Sequence, residues 1–260
     1  MGNDHVMSDI STQLQGALHL LPAHRQHELF EQAFSEAQSQ SRELRQAAES
    51  ASGLARFQVR VFKRLDEALA AVPKTFGTSL ACRPGCAMCC HYRVVISPVE
   101  AFTLAEHIRG LKDAAARDAV LQRLRANKAA IDKLSIEQHI ATNVRCAFLG
   151  DDDRCTAYEA RPGACRKHHS ADVRPCRETF DDPSNPAQNP QVPDILASAD
   201  VFLAATFRAS HEHGMDMQMY EMTAAVLEAY ENPAALRRFR SGKVSFPSVR
   251  DRQHLIPGAA

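Results

Sequence analysis

The 260-residue chain has 31 Lys plus Arg and 31 Asp plus Glu, so no net charge attracts nucleic acid or an acidic membrane surface. Its composition, 45% hydrophobic and 24% charged, is typical of a folded globular protein and excludes a disordered chain. No stretch reaches the roughly 18 apolar residues of a membrane helix, and the first residues lack the basic start and apolar run of a signal peptide. We therefore expect a cytoplasmic protein with no membrane or nucleic-acid partner.

The chain divides into three parts by composition. Residues 1–52 are polar, with a few spaced apolar positions, and predict one amphipathic helix behind a loose end. Residues 53–236 are expected to form a single helical domain that contains the cysteine cluster at 79–177. Residues 237–260 form a basic C-terminal tail, for which we expect a solvated or frayed end, the alternative being a docking strip for an acidic partner.

Helical signals flank the cluster on both sides. Apolar residues from Leu54 to Val72 recur every three or four positions, and Pro73 is expected to end that helix. After a short extended stretch at 91–96, Ser97, Pro98 and Glu100 predict an N-cap, a proline at the first helical position and a capping box. That helix should end at Gly110.

The remaining pattern is also mainly helical. Residues 111–138 predict a long exposed helix or a broken pair, and residues 146–176 predict loops and single turns. Proline-rich residues 182–193 indicate a surface connector. Two more helices follow, around Ile195 to Phe207 and Met222 to Tyr230, and then a last short one. The predicted fold is mainly α, with helices packed around an irregular cysteine-rich metal-binding centre.

All eight cysteines lie between positions 82 and 176. Four fall within nine residues, and the turn Arg83-Pro84-Gly85 allows successive sulfurs to approach one point. Cytosolic thiols stay reduced, so this clustering indicates metal binding rather than disulfides. The candidate metal ligands are Cys82, Cys86, Cys89, Cys90, Cys146, Cys155, Cys165 and Cys176.

The number of thiols exceeds what one zinc ion requires. A structural zinc site uses four ligands, and the neighbouring side chains of Cys89 and Cys90 do not easily reach the same ion. Two ions with shared thiolates, or an iron–sulfur cluster with thiols left over, both stay open. Arg161 and Arg166 bracket Cys165 and are expected to offset thiolate charge. The nearby histidines His91, His168 and His169 are expected mainly at the surface, with ligation as the alternative.

The cysteine blocks resemble those of the CxxCxxCC, or YkgJ-type, cysteine-cluster family. Cys82, Cys86, Cys89 and Cys90 are similar to its opening motif, with one extra residue between the first two thiols. Residues 146–149, 155–158 and 161–166 look like its C-x-F-L, C-x-x-Y and R-P-x-x-C-R blocks. The likeness covers about residues 79–177.

The resemblance implies a domain that chelates zinc or iron. Similar blocks occur in flagellin lysine methylases, where they look like iron–sulfur ligands. Seven cysteines are implied as ligands, and the eighth, Cys176, is included by proximity alone. Tyr158, Arg161 and Pro162 would position Cys155 and Cys165.

Three functions follow from these observations. The first is a metal-binding protein with zinc or iron in a structural, storage or delivery role. The second is an iron–sulfur enzyme in redox chemistry or protein modification such as N-methylation. Cys82, Cys86 and Cys89 have the C-x-x-x-C-x-x-C spacing of radical enzymes, but no G-x-G-x-x-G loop or barrel pattern accompanies it. The third is an adaptor domain pinned by metal, with an unidentified protein partner. The sequence leaves open whether the chain is an enzyme.

Overall fold

The structure of the protein is a computed structural model, which describes residues 17–77, 79–185, 187 and 189–254. The model is 62% helix and 4% strand, which confirms the prediction of a mainly α fold. The loose end expected before the first helix falls largely on residues 1–16, outside the described residues. Within the described ranges, no helix is both long enough and apolar enough to span a bilayer.

The helices and strands are numbered in chain order. Ten α-helices are described: α1 Ala23–Ala47, α2 Ala51–Phe76, α3 Pro98–Gly110, α4 Ala114–Ile131, α5 Ile136–Ile140, α6 Gly163–Lys167, α7 Val173–Asp181, α8 Pro193–Glu212, α9 Met222–Glu231 and α10 Ala235–Arg240. Two short 3-10 helices span Met88–His91 and Tyr158–Ala160. Three strands are β1 Val95–Ile96, β2 Gln218–Glu221 and β3 Arg252–His254.

Helices α1, α2 and α8 pack against one another and form one side of the core. The apolar stripe of α2 is buried as expected, with Phe57 and Leu65 fully inaccessible to solvent. The prediction that Pro73 ends this helix is wrong, because α2 continues to Phe76. A proline removes one backbone hydrogen bond of the helix and strains the turn before it. Only three residues of α2 follow Pro73, so most of the helix is unaffected.

Helix α3 begins where its capping signals predicted. The Ser97 side chain accepts a hydrogen bond from the Glu100 backbone, and Glu100 Oε2 accepts one from the Ser97 backbone at 2.8 Å. The helix lies between α2 and α9, which bury Phe102, Leu104 and the other apolar residues along most of its length. The chain after it forms the separate helices α4 and α5, which is the broken pair among the two alternatives.

A three-stranded antiparallel sheet covers one end of the helices, in the order β1-β2-β3. Val95 pairs with Glu221 across the first pair of strands, and Tyr220 pairs with Arg252 across the second. Only the first strand was expected. Strands β2 and β3 are four and three residues long, which is too short for an alternation of apolar and polar residues to be recognised in the sequence.

The prediction of a solvated or frayed C-terminal end is wrong for residues 237–254. Phe239 and Phe246 are completely buried, and Val249 is almost so. Ser248 donates hydrogen bonds to Glu228 of α9, and β3 completes the sheet. The arginines that made this segment look solvated are spaced between apolar residues that face the core.

Candidate metal centre

The first four cysteines lie on a tight turn and a 3-10 helix. The Cys86 N–H donates to the Arg83 carbonyl at 3.0 Å, and Gly85 has a φ of +84°, which glycine adopts without a steric penalty. Cys89 and Cys90 follow on the helix Met88–His91. Cys82 is exposed, whereas the other seven cysteines are half-buried.

The chain returns to this helix about fifty residues later. The Cys146 N–H donates to the Cys90 carbonyl at 2.8 Å, and the Val144 N–H donates to the His91 carbonyl at 3.0 Å. Cys155 then pairs with Leu149 in an isolated antiparallel bridge. These backbone bonds bring Cys146 and Cys155 beside Cys90.

Cys165 is carried by α6, whose position depends on a close backbone approach. A Cβ added to Gly163 would lie 2.2 Å from Leu203 of α8, so no larger residue fits without displacing that side chain. Glu100 also reaches this helix, where its Oε1 accepts a hydrogen bond from the Gly163 N–H at 2.8 Å. Glu100 thus joins α3 to the turn before Cys165. Sequence analysis recognised only its capping role.

Arg166 holds the loop between Cys155 and Cys165. Its guanidinium donates to the carbonyls of Arg161 at 2.7 Å, Tyr158 at 3.0 Å and Glu159 at 2.7 Å. It also pairs with Asp66 of α2, and its side chain is only 1% exposed. Arg166 thus acts on the cysteine segment in two ways. Its hydrogen bonds hold the loop backbone, and its charge opposes the rise in the pKa of Cys155, as expected from the sequence.

The charge of Arg161 acts on three thiols, those of Cys90, Cys155 and Cys165. Its guanidinium lies 4.7 Å from the centre of the Tyr158 ring, and its Nε is buried with no hydrogen-bond partner among the described residues. A hydrogen bond from the Cys89 thiol, with the charges of Arg161 and Arg145, lowers the pKa of Cys90. These neighbours therefore favour the thiolate form of Cys90.

Burial has the opposite effect on the other thiols of this group. Desolvation raises the pKa of Cys146 to about 12 and also raises the pKa values of Cys155 and Cys165. The charges of neighbouring cysteines raise them further: Cys90 and Cys155 act on Cys146, and Cys146, Cys90 and Cys155 act on Cys165. Four mutually repelling thiolates need a cation between them to remain ionised.

Cys82 and Cys176 lie near each other, because Ser170 contacts both. The Ser170 N–H donates to the Cys82 sulfur at 3.3 Å, and the Ala81 N–H donates to the Ser170 carbonyl at 2.9 Å. Cys176 lies on α7, where burial and then the charges of Cys82 and Cys86 raise its pKa. The structure thus brings Cys176, which sequence analysis included only by proximity, close to two members of the first group.

Helix α7 is attached by two side-chain contacts to the residues that follow Cys90, and by a third to the segment that returns before Cys146. The Tyr92 and Thr179 hydroxyls are hydrogen-bonded at 2.7 Å, and the His91 ring meets Phe180 edge-on with centroids 4.9 Å apart. Asn143 donates to the Phe180 carbonyl at 2.6 Å. These contacts hold Cys176 against the helix that carries Cys89.

The three nearby histidines differ in what they could bind. His169 is buried, not at the surface as expected; its Nδ1 bonds the Lys167 carbonyl, and its Nε2 accepts from the Val192 N–H, both at 2.7 Å. His91 Nδ1 bonds the Ala87 carbonyl at 3.1 Å. His168 Nε2 is buried and has no hydrogen-bond partner among the described residues. His168 therefore has a ring nitrogen available as a donor.

The donor chemistry of this region fits zinc or iron. Eight unpaired thiols lie in one segment, with cationic side chains and the unsatisfied His168 nitrogen beside them. Within residues 17–77, 79–185, 187 and 189–254, no three His, Cys, Asp or Glu side chains converge closely enough to hold one ion. The backbone thus brings the cysteine-bearing segments together, but their side chains do not converge on one point.

Comparison with known proteins gives one family. Residues 81–185 match the CxxCxxCC model, described as "Putative zinc- or iron-chelating domain". The match contains all eight cysteines and extends past residue 177, where the likeness expected from sequence ended, to residue 185. No curated protein and no solved structure matches the chain.

Proposed function

We propose that the protein binds zinc or iron through its cysteine cluster and holds that metal for storage or delivery in the cytoplasm. The single observation that carries the proposal is that the cluster is built onto a helical core that contains no cysteine among its fully buried residues. Cys146 and Cys155 only pack against the edge of this core. The helices therefore have their own apolar interior for stability.

This arrangement differs from that of small zinc domains. A zinc finger has too little core to fold without metal, so its metal is part of the fold. Here the interior is supplied by residues such as Leu29, Phe57, Phe102 and Phe202 on four different helices. A metal that the helical frame does not need is free to serve as cargo.

The free thiols support the cytoplasm as the compartment. All eight cysteines lie in described parts of the chain, and the structure pairs none of them in a disulfide. Cytosolic thiols are kept reduced, which preserves them as metal ligands.

The test is metal analysis of anaerobically purified protein, together with its visible absorption spectrum and its helical circular dichroism before and after chelation. We expect bound zinc or iron, and we expect helix content to survive removal of the metal. Cys86→Ser and Cys89→Ser should lower the bound metal, whereas Met88→Leu, between the two cysteines, should not. Absence of both metals, or collapse of the helices on chelation, would contradict the proposal.

A further inference from the structure

We propose that helix α7, Val173–Asp181, is a hinged lid over the first cysteine segment, and that its opening controls access to Cys86 and Cys89. The lid opens without unfolding the helical core, so a reagent or a partner reaches these thiols while the fold stays intact. The inference goes beyond the proposed function, because it concerns access to the thiols and does not depend on whether they carry a metal.

Helix α7 lies along the first cysteine segment. Just before the helix, the Ser170 N–H donates to the Cys82 sulfur at 3.3 Å. Near the other end of the helix, the hydroxyls of Thr179 and Tyr92 are hydrogen-bonded at 2.7 Å. The main neighbour of α7 among the helices and strands is the 3-10 helix Met88–His91. Both ends of α7 are thus held against the stretch of chain that contains the first four thiols.

The Tyr92 hydroxyl indicates where the thiols lie relative to the lid. Burial, and to a smaller extent the charges of Cys176, Cys89 and Cys86, raise the pKa of Tyr92. Charge interactions weaken with distance, so these three sulfurs lie near the hydroxyl to which Thr179 is bonded. Cys86 and Cys89 are only half-buried. The cover that α7 provides is therefore shallow, and removing it is expected to expose both thiols.

The attachments of α7 are few and lie at its surface. None of its residues is fully buried. Besides the Thr179 hydroxyl, Phe180 provides the contacts: its carbonyl accepts from Asn143 at 2.6 Å, and its ring meets the His91 ring edge-on. Elements with little buried apolar area open locally at a small fraction of the free energy of global unfolding. Helix α7 is therefore expected to open before the helices of the core.

The hinge is the base of the loop that carries α7. The Ala171 N–H donates to the Pro190 carbonyl at 2.9 Å, and the Val192 N–H donates to His169 Nε2 at 2.7 Å. His169 itself is buried. The chain therefore leaves the core and returns to it at the same place. As a result, α7 can swing outward without displacing α6 before it or α8 after it.

The test uses the full-length protein, reduced and treated with a chelator so that its thiols are free. Iodoacetamide is added at low concentration, and alkylation of each cysteine is followed by peptide mass spectrometry. When the reagent is slow relative to closing, the rate reports the population of the open lid. Thr179→Val removes the bond to Tyr92 and should raise the rates at Cys86 and Cys89 about two- to tenfold. Cys146, which packs against the edge of the core, should keep its wild-type rate.

A second variant breaks the lid itself. Glu178 is exposed in the middle of α7, and a proline there disrupts the helix. In Glu178→Pro, Cys89 should react nearly as fast as in urea-denatured protein, whereas the urea midpoint of the helical circular dichroism should not change. Glu178→Ala, which keeps the helix, is the matched control and should behave as the wild type.

Three results would overturn the lid. Wild-type rates at Cys89 in both Thr179→Val and Glu178→Pro would mean that α7 does not cover this thiol, and loss of the core helices in Glu178→Pro would mean that α7 belongs to the core. If chelation unfolds the chain, which contradicts the proposed function, hydrogen exchange of the protein as purified replaces alkylation. Amides of α7 should then exchange before those of α8, and equal protection of the two helices would overturn the lid.

Discussion

At the scale of single residues, Arg166 connects the cysteine segment to the helical frame. Its guanidinium satisfies three loop carbonyls, pairs with Asp66 and lies over the Phe62 ring, 4.3 Å from its centre. Lysine has one donor group on a flexible stem and cannot reproduce this planar set of bonds. The role is therefore specific to arginine.

We predict that Arg166→Lys destabilises the protein by about 3 kcal/mol, because hydrogen bonds from a charged group contribute about 1.5–3 kcal/mol each. The measurement is thermal or urea unfolding of the metal-loaded protein. Arg174→Lys is the matched control, since Arg174 lies in the same basic segment with its side chain 83% exposed. Equal stability of the Arg166 variant and the wild type would contradict the connecting role.

Buried His139 makes the stability of the folded protein decrease in acid. Burial, and then the charge of Arg93, lower the pKa of His139 below its usual 6.5. Below that pH the unfolded chain takes up the proton before the folded chain does, so the histidine reduces stability as the pH falls. Above 6.5 both states are neutral and the contribution is constant.

We predict that His139→Gln loses less stability than the wild type when the pH is lowered from about 7.5 to about 5.5. The measurement is urea unfolding at both values. His24→Gln, at an exposed position of α1, serves as the control and should follow the wild type. An unchanged slope in the His139 variant would contradict the assignment.

At the scale of elements, some of the helices begin at a side-chain cap, and these caps are of two kinds. Ser and Asp are usual N-cap residues, and Ser97 and Asp113 both cap the helices that follow them. Of the two, Ser97 was predicted from the sequence. Glu221 was not expected as a cap, yet its carboxylate accepts from the Thr223 N–H at 2.9 Å and the Ala224 N–H at 2.8 Å. Its position at the end of β2 makes this possible.

We predict that Glu221→Ala costs about 1–2 kcal/mol, because it leaves two buried N–H groups without an acceptor. Asp113→Ala removes a cap at an exposed helix start, where water can replace the carboxylate, and should cost about 0.5 kcal/mol. Equilibrium unfolding in urea measures both. Equal losses in the two variants would show that burial of the cap does not matter.

At the scale of the whole molecule, the C-terminal segment closes the core. Phe246 contacts the Phe102 and Tyr220 rings, at centroid distances of 5.6 and 4.9 Å. Truncation after Gly242, which would remove a basic docking strip, also removes Phe246, Val249 and β3. Such a truncation therefore cannot test an adaptor function alone.

We predict that this truncation destabilises the protein by at least about 4 kcal/mol, since deleting a buried phenylalanine side chain alone costs about 3–5 kcal/mol. Phe246→Ala should reproduce most of the loss, whereas Lys243→Ala, at an exposed position of the same segment, should not. Thermal unfolding compares the three. Normal stability of the truncated chain would show that the segment is dispensable.

The sequence by itself determined the features that depend on neighbouring residues. The apolar stripe of α2, the capping box at Ser97 and the density of thiols from Cys82 to Cys90 are local patterns, and each predicts its structure from spacing alone. The family match over residues 81–185 agrees with the motif blocks read in the same way. These patterns predicted a mainly α protein with a metal-chelating segment.

Only the tertiary structure decided which distant residues meet. The bond between Ser170 and Cys82 spans 88 positions, and the bond between Glu100 and Gly163 spans 63. The burial of Phe246 likewise depends on helices far from it in sequence. Such contacts follow from how the helices pack, and packing depends on the shape of the whole core rather than on any local period. The same long-range packing brings Cys146 beside Cys90 and Cys176 near Cys82.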